Sequence, residues 1–89
     1  MIDYYPIGSV LLISTTDRRV MVLGRMMRDK AGTLHDYIGC FFPQGVITGD
    51  DLVYFDRKDI LLPFSLGYQS EDELRLRQKI KRIEEAQPI

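Results

Sequence analysis

All four glutamates of this 89-residue chain, Glu71, Glu73, Glu84 and Glu85, fall after residue 70, and every acid before that point is aspartate. Aspartate's short side chain bonds nearby backbone and favours turns, whereas glutamate is tolerated well inside helices. The chain is therefore expected to be a turn-rich β body, residues 1–69, followed by one helix, residues 70–87. The apolar runs agree with that division. Strand-like segments occur at Ser9–Ser14, Arg18–Arg28, Leu34–Phe42, Leu52–Phe55 and Leu61–Tyr68, with turn-forming residues such as Thr15-Thr16-Asp17 and Asp29-Lys30-Ala31-Gly32 between them. Gly24, inside the second run, marks a bulge or a bend. Asp56–Asp59 suits a single helical turn, and Pro63 breaks the fifth run. The predicted fold is mainly β with one C-terminal α-helix: a small antiparallel SH3-like barrel of about five strands capped by the helix. A chain of this length supports one modest core and hence a single domain.

The helix carries its own signals. Ser70-Glu71-Asp72-Glu73 has the form of a capping box, in which Ser70 accepts from the backbone at Glu73 and Glu73 reaches back. Leu76, Ile80 and Ile83 recur at helical spacing and predict an apolar stripe facing the barrel, and Pro88 follows the expected end. Leu74 points away from that stripe. Tyr68 is expected to staple the helix start to the body.

Charge and composition narrow the function. A net charge of −1 creates no overall field toward nucleic acid or an acidic membrane. One cysteine forms no internal disulfide, which fits a reducing compartment. The amino terminus lacks Lys and Arg, and Val10-Leu11-Leu12-Ile13 is too short for a signal-peptide core or a membrane span. These features predict a soluble cytoplasmic protein, or one that leaves the cell by a route needing no such signal, without membrane insertion; homo-oligomer formation stays open.

The stretch His35–Val46, HDYIGCFFPQGV, holds the only histidine and the only cysteine. A nucleophile and its base must come within hydrogen-bond reach. Residues five apart on a regular strand point to opposite faces, so His35 and Cys40 are not expected to form a dyad. Cys40 reads as a small buried hydrophobe and His35 as a solvated strand-start residue. One His and one Cys fall short of the four ligands of a structural zinc site. Asp50, Asp51, Asp56 and Asp59 do not have calcium-loop spacing and read as turn and cap residues. No phosphate-binding glycine loop occurs. Hence no catalytic residue, metal or cofactor is expected, and the chain is not expected to be an enzyme.

Two binding readings remain. Alternation along the third strand puts Leu34, Asp36, Ile38, Cys40 and Phe42 on one face, expected to be core. His35, Tyr37, Gly39 and Phe41 share the other, where Tyr37 and Phe41 would either anchor a partner or pack under the helix. Phe42, Pro43 and Gln44 adjoin them, so Tyr37, Phe41, Phe42, Pro43 and Gln44 are the candidate partner-binding residues. The alternative is a small-barrel nucleic-acid-binding protein using the basic hairpin, Arg18, Arg19, Arg25 and Arg28 with Lys30. The helix adds no net basic charge, since Arg75, Arg77, Lys79, Lys81 and Arg82 are matched by five acids.

The blocks YYPIGSVLLI, RRVMVLGRM, HDYIGCFFPQG, FDRKDI and LGYQSEDE, in this order and spacing, resemble a small family from Gram-positive bacteria catalogued as a domain of unknown function, the one numbered four-one-seven-six. The chain departs from that pattern mainly at Cys40-Phe41-Phe42, which is bulkier, and in a more basic helix. Genes of the family sit in type VII secretion loci, commonly beside polymorphic toxins with a helical targeting domain. The resemblance implies a non-enzymatic adaptor or chaperone-like accessory that binds a co-encoded toxin or its small helical partners. Tyr68-x-x-x-Asp72 also resembles the export signal of that system but precedes a helix rather than following a helical hairpin.

Overall fold

The computed structural model describes residues 4–86, which form one five-stranded antiparallel sheet followed by a helix. Strands β1 (Val10–Ile13), β2 (Arg19–Arg28), β3 (Leu34–Phe41), β4 (Leu52–Phe55) and β5 (Ile60–Ser65) lie in the order β4-β3-β2-β1-β5. Helix α1 spans Glu71–Ala86. Pro88 lies outside the described residues. The aspartates take up the turn and cap positions expected of them: Thr48 and Asp51 form a capping box on a 3-10 turn at Gly49–Asp51, and Asp56 and Asp59 do the same at Arg57–Asp59.

The sheet has to curl. Its two edge strands, β4 and β5, are joined by a short connection containing the Arg57–Asp59 turn. Four strand spacings laid flat would come to about 19 Å, and a 3-10 turn advances only about 2 Å per residue. The end of β1 meets this connection, where Ser14 N donates to Asp59 O at 2.7 Å. The expected barrel nevertheless stays open. Beyond their connection β4 and β5 remain separate edges, and β5 follows β1 irregularly, with two register shifts and a proline, Pro63, that has no ladder donor.

Both faces of the sheet are apolar, and the helix covers one of them. On this inner face Leu11, Ile13, Val20, Val22, Tyr37 and Phe55 form a cluster with Tyr4 from the lead-in and Ile80 from α1. The other, outer face buries Val10, Ile38 and Cys40. The expected orientation of β3 is thus inverted: Tyr37, fully buried, lies inside, and the Ile38–Cys40 set lies outside. Alternation shows which residues share a face but is silent on which face the helix will cover. Gly39 settles the packing locally, because the room it leaves is filled by Val20 of β2 and Phe55 of β4. A Cβ there would come within 3.2 Å of the Phe55 ring and 2.5 Å of the Met21 carbonyl oxygen.

The predicted irregularity at Gly24 is present. Val22 opposes Gly39 and Gly24 opposes Ile38, so Leu23 is an extra residue in β2. Such a bulge reverses the alternation beyond it. Arg25, which would otherwise point outward, opposes Tyr37 on the inner face. There it pairs with Glu73 at 2.7 Å, its side chain only 4% exposed.

The Ser70 half of the predicted capping box is present, its Oγ accepting from Glu73 N at 3.1 Å, but Glu73 does not reach back. The Glu73 carboxylate goes to Arg25 and, at 3.1 Å, to Arg77. Consequently the face toward the sheet is Glu73, Arg77, Ile80 and Glu84, not Leu76, Ile80 and Ile83. Leu76 and Ile83 are 45% and 49% exposed, while Ile80 is buried. The helix is turned by about one position because charged side chains find partners beneath it, including Tyr4 O for Arg77 at 3.1 Å. Tyr68, 87% exposed, does not staple the helix start. Replacing Ile80 by Asp should cost about 3 kcal/mol or more, since it buries a charge at the one apolar anchor of α1. Lys79→Asp, on the exposed side, should change melting little; equal losses in the two variants would contradict this seating of the helix.

Candidate functional site

The residues singled out from the sequence separate in space. Tyr37 is core: its ring stacks on Phe55 with centroids 5.1 Å apart, and its hydroxyl accepts from Tyr5 N at 2.9 Å. Burial pushes its phenol up to about 12. It offers nothing to a partner. Phe41 is half-buried at the edge of the same cluster, with the Arg18 guanidinium 4.0 Å above its ring. Phe42 lies on the other side and is 42% exposed. Pro43, joined to Phe42 by a cis peptide bond, and Gln44 are exposed in the loop that follows. That loop also presents Val46 and Ile47.

Phe42 belongs to a row that crosses the sheet. Its backbone N donates to Arg19 O at 2.8 Å. Arg19 opposes Leu12, and Leu12 opposes Leu62 on β5. Directly opposed residues in antiparallel strands point to the same side, so Phe42, Arg19, Leu12 and Leu62 share the outer face. Phe64 joins them, because the Arg19 guanidinium lies 4.6 Å from its ring centroid. Phe42, Leu62 and Phe64 are 42%, 43% and 49% exposed. Leu62, Phe64 and the patch role of Arg19 were missed from the sequence. The available signal was the run Leu61-Leu62-Pro63-Phe64, an apolar strand whose proline assigns it to an edge.

The basic hairpin is not one patch. Arg25 is buried and neutralised by Glu73. Arg28 sits at the far end of a ten-residue strand from Arg19 and donates to Gly32 O at 2.8 Å. Such a strand is about 30 Å long. Arg18 and Arg19 alone remain together, at the end bearing the apolar row.

His35 and Cys40 are likewise apart, on opposite faces of β3, as their spacing requires. Cys40 is buried, and that burial raises its thiol pKa. His35 is not the solvated residue expected. Its Nε2 lies 2.9 Å from Asp29 and its Nδ1 3.4 Å from Asp56, with Tyr54 against the ring. No group of three or more potential metal ligands clusters among the described residues.

A polar seam runs beneath α1. Tyr4 donates its hydroxyl to Glu84, and Arg57 reaches Glu84 at 3.0 Å and Asp36 at 3.6 Å while lying over the Tyr4 ring. Burial, then the Glu84 bond, holds the Tyr4 phenol far above its usual range. With Lys81 and Glu85 these residues line a cleft of about 270 Å³. Its polar groups largely bond one another and serve to seat the helix.

The His35 pair makes stability depend on pH. The Asp29 hydrogen bond raises the histidine above its usual 6.5, and His35 in turn lowers Asp29 below 3.8. A raised histidine contributes below its unfolded pKa and loses that contribution as pH rises through the folded value; a lowered aspartate contributes above its unfolded pKa. The pair is therefore strongest between about pH 4 and 6.5. The melting difference between wild type and His35→Gln should be larger at pH 5.5 than at pH 8.5. The same difference at both would show that the pair carries no charge-linked stability.

No curated protein and no solved structure matches the chain, and among the described residues no helix is long and apolar enough to cross a membrane. Residues 4–76, from the buried Tyr4 through the first turns of α1, match one family, and the chain belongs to it: the domain of unknown function DUF4176.

Proposed function

We propose that this protein is a non-enzymatic adaptor or chaperone-like accessory of a type VII secretion system, acting in the cytoplasm by binding a co-encoded toxin or one of its small helical partners. The family resemblance supplies the biological setting. The observation that carries the binding role is an exposed row at one end of the outer face: Phe42, in the turn directly after β3, and Leu62 and Phe64 of β5 stand half-exposed together around Arg19. Exposed apolar groups that cluster in this way mark contact surfaces more often than scattered ones do. Aromatic side chains on a rigid strand also lose little entropy on binding and often carry a large share of the energy. Pro43 and Gln44, at the start of the adjoining loop, shape the edge of the contact.

The site therefore moves from the Tyr37–Phe41 face to the opposite one. Phe42→Ala combined with Phe64→Ala should abolish copurification with the toxin or its helical partners, each change costing about 2 kcal/mol if central to the contact. Far-ultraviolet spectrum and melting should stay close to wild type, since neither ring belongs to the buried cluster. Binding that survives the double change would remove the outer face from consideration. An interaction that instead weakens steeply with salt and follows Arg18, Arg19 and Arg28 would favour nucleic acid.

A further inference from the structure

Arg19 is the one charged residue in the apolar row, and its situation differs from that of most other arginines. Arg25, Arg57, Arg75 and Arg77 each pair with a carboxylate. Among the described residues Arg19 makes no such pair; its guanidinium lies over the Phe64 ring, between Phe42 on one side and Leu12 and Leu62 on the other. Arg19 is exposed, so the donors that project from that stack are open to water. Any partner that covers Phe42, Leu62 and Phe64 also removes this water. A guanidinium buried without a counter-charge is strongly unfavourable, whereas a carboxylate matches its planar fork with two parallel hydrogen bonds.

We infer that the outer-face patch takes a protein segment presenting a carboxylate among apolar side chains, with Arg19 as its electrostatic anchor and Phe42, Leu62 and Phe64 as the apolar seat. The inference rests on the outer face being the contact surface. The segment lies across the face rather than extending the sheet at β5. Pro63 and the two register shifts leave that edge without the regular row of donors and acceptors a new strand needs. A second copy of this chain fits poorly, because the row contains no carboxylate and a two-fold contact would bring two unpaired guanidiniums into one small area. A phosphate backbone fits less well, because it is tracked by several cations and the row carries one, whose guanidinium already lies over the Phe64 ring.

The test is selection of a displayed library of random peptides on the full chain, followed by affinity measurement of the enriched peptides. The expected result is peptides with Asp or Glu flanked by apolar residues, whose affinity falls about tenfold or more with Arg19→Met, a change that keeps an apolar contact on Phe64. Phe64→Ala should weaken the same peptides. Replacing the peptide's acid by its amide should cost much less in Arg19→Met than in wild type, because the two changes remove one interaction. Patch-dependent binders that lack an acid and ignore Arg19→Met would overturn the carboxylate inference and leave the contact surface standing. Enriched peptides unaffected by Phe64→Ala would overturn both. A concentration-dependent dimer in sedimentation that Phe64→Ala dissociates would make the occupant a second copy, and tight binding of a single-stranded oligonucleotide lost in Arg19→Met would make it nucleic acid; either would overturn the proposal.

Discussion

The sheet of this protein is apolar on both faces, and the described residues provide one α-helix with which to cover it. Much of the rest follows from that imbalance. Among the described residues the inner face takes the helix and the Tyr4 lead-in, and the outer face keeps Phe42, Leu62 and Phe64 half-exposed. The curl forced by the short connection between β4 and β5 deepens the inner side. Its large aromatic rings, Tyr4, Tyr37 and Phe55, pack there.

The helix is seated mainly by charge. Ile80 is its one buried residue among those described, and around it stand Arg25–Glu73–Arg77 at one end and Tyr4–Glu84–Arg57 at the other. Ion pairs of this kind return little net stability once their desolvation is counted, but their directional bonds specify how the helix sits. The extra residue Leu23 is what makes the first group available, because it turns Arg25 inward. A bulge in a strand thus sets the rotation of a helix far along the chain. The same rotation leaves Leu76 and Ile83 at the surface.

Near-neutral net charge conceals an uneven distribution. Four of the eight arginines, Arg25, Arg57, Arg75 and Arg77, pair with carboxylates, and the hairpin that looks basic in sequence contributes few free cations in one place. Sequence proximity misleads here because a ten-residue strand separates Arg19 from Arg28 by most of the sheet's length, and because Arg25 faces inward. Arg18 and Arg19 remain together, each lying over a ring and without a carboxylate pair among the described residues, and Arg19 is the one in the apolar row.

The sequence by itself determined the elements and their punctuation. Five strands, the bulge near Gly24, the aspartate-capped turns and the Ser70 cap were all legible, because alternation, turn chemistry and capping are local properties. His35 and Cys40 could be separated for the same reason. Tertiary structure alone decided which face of β3 is core, since both sets contain large apolar side chains and the space beside Gly39 is filled by Val20 and Phe55 from the neighbouring strands. It likewise decided that Glu73, Arg77 and Glu84 face the sheet: their partners Arg25, Arg57 and Tyr4 lie many residues away, and an apolar-stripe rule has no term for a buried charge that finds its counter-ion. The row of Phe42, Arg19, Leu12, Leu62 and Phe64 draws on four separate runs of the chain, and only the pairing of strands brings them onto one surface.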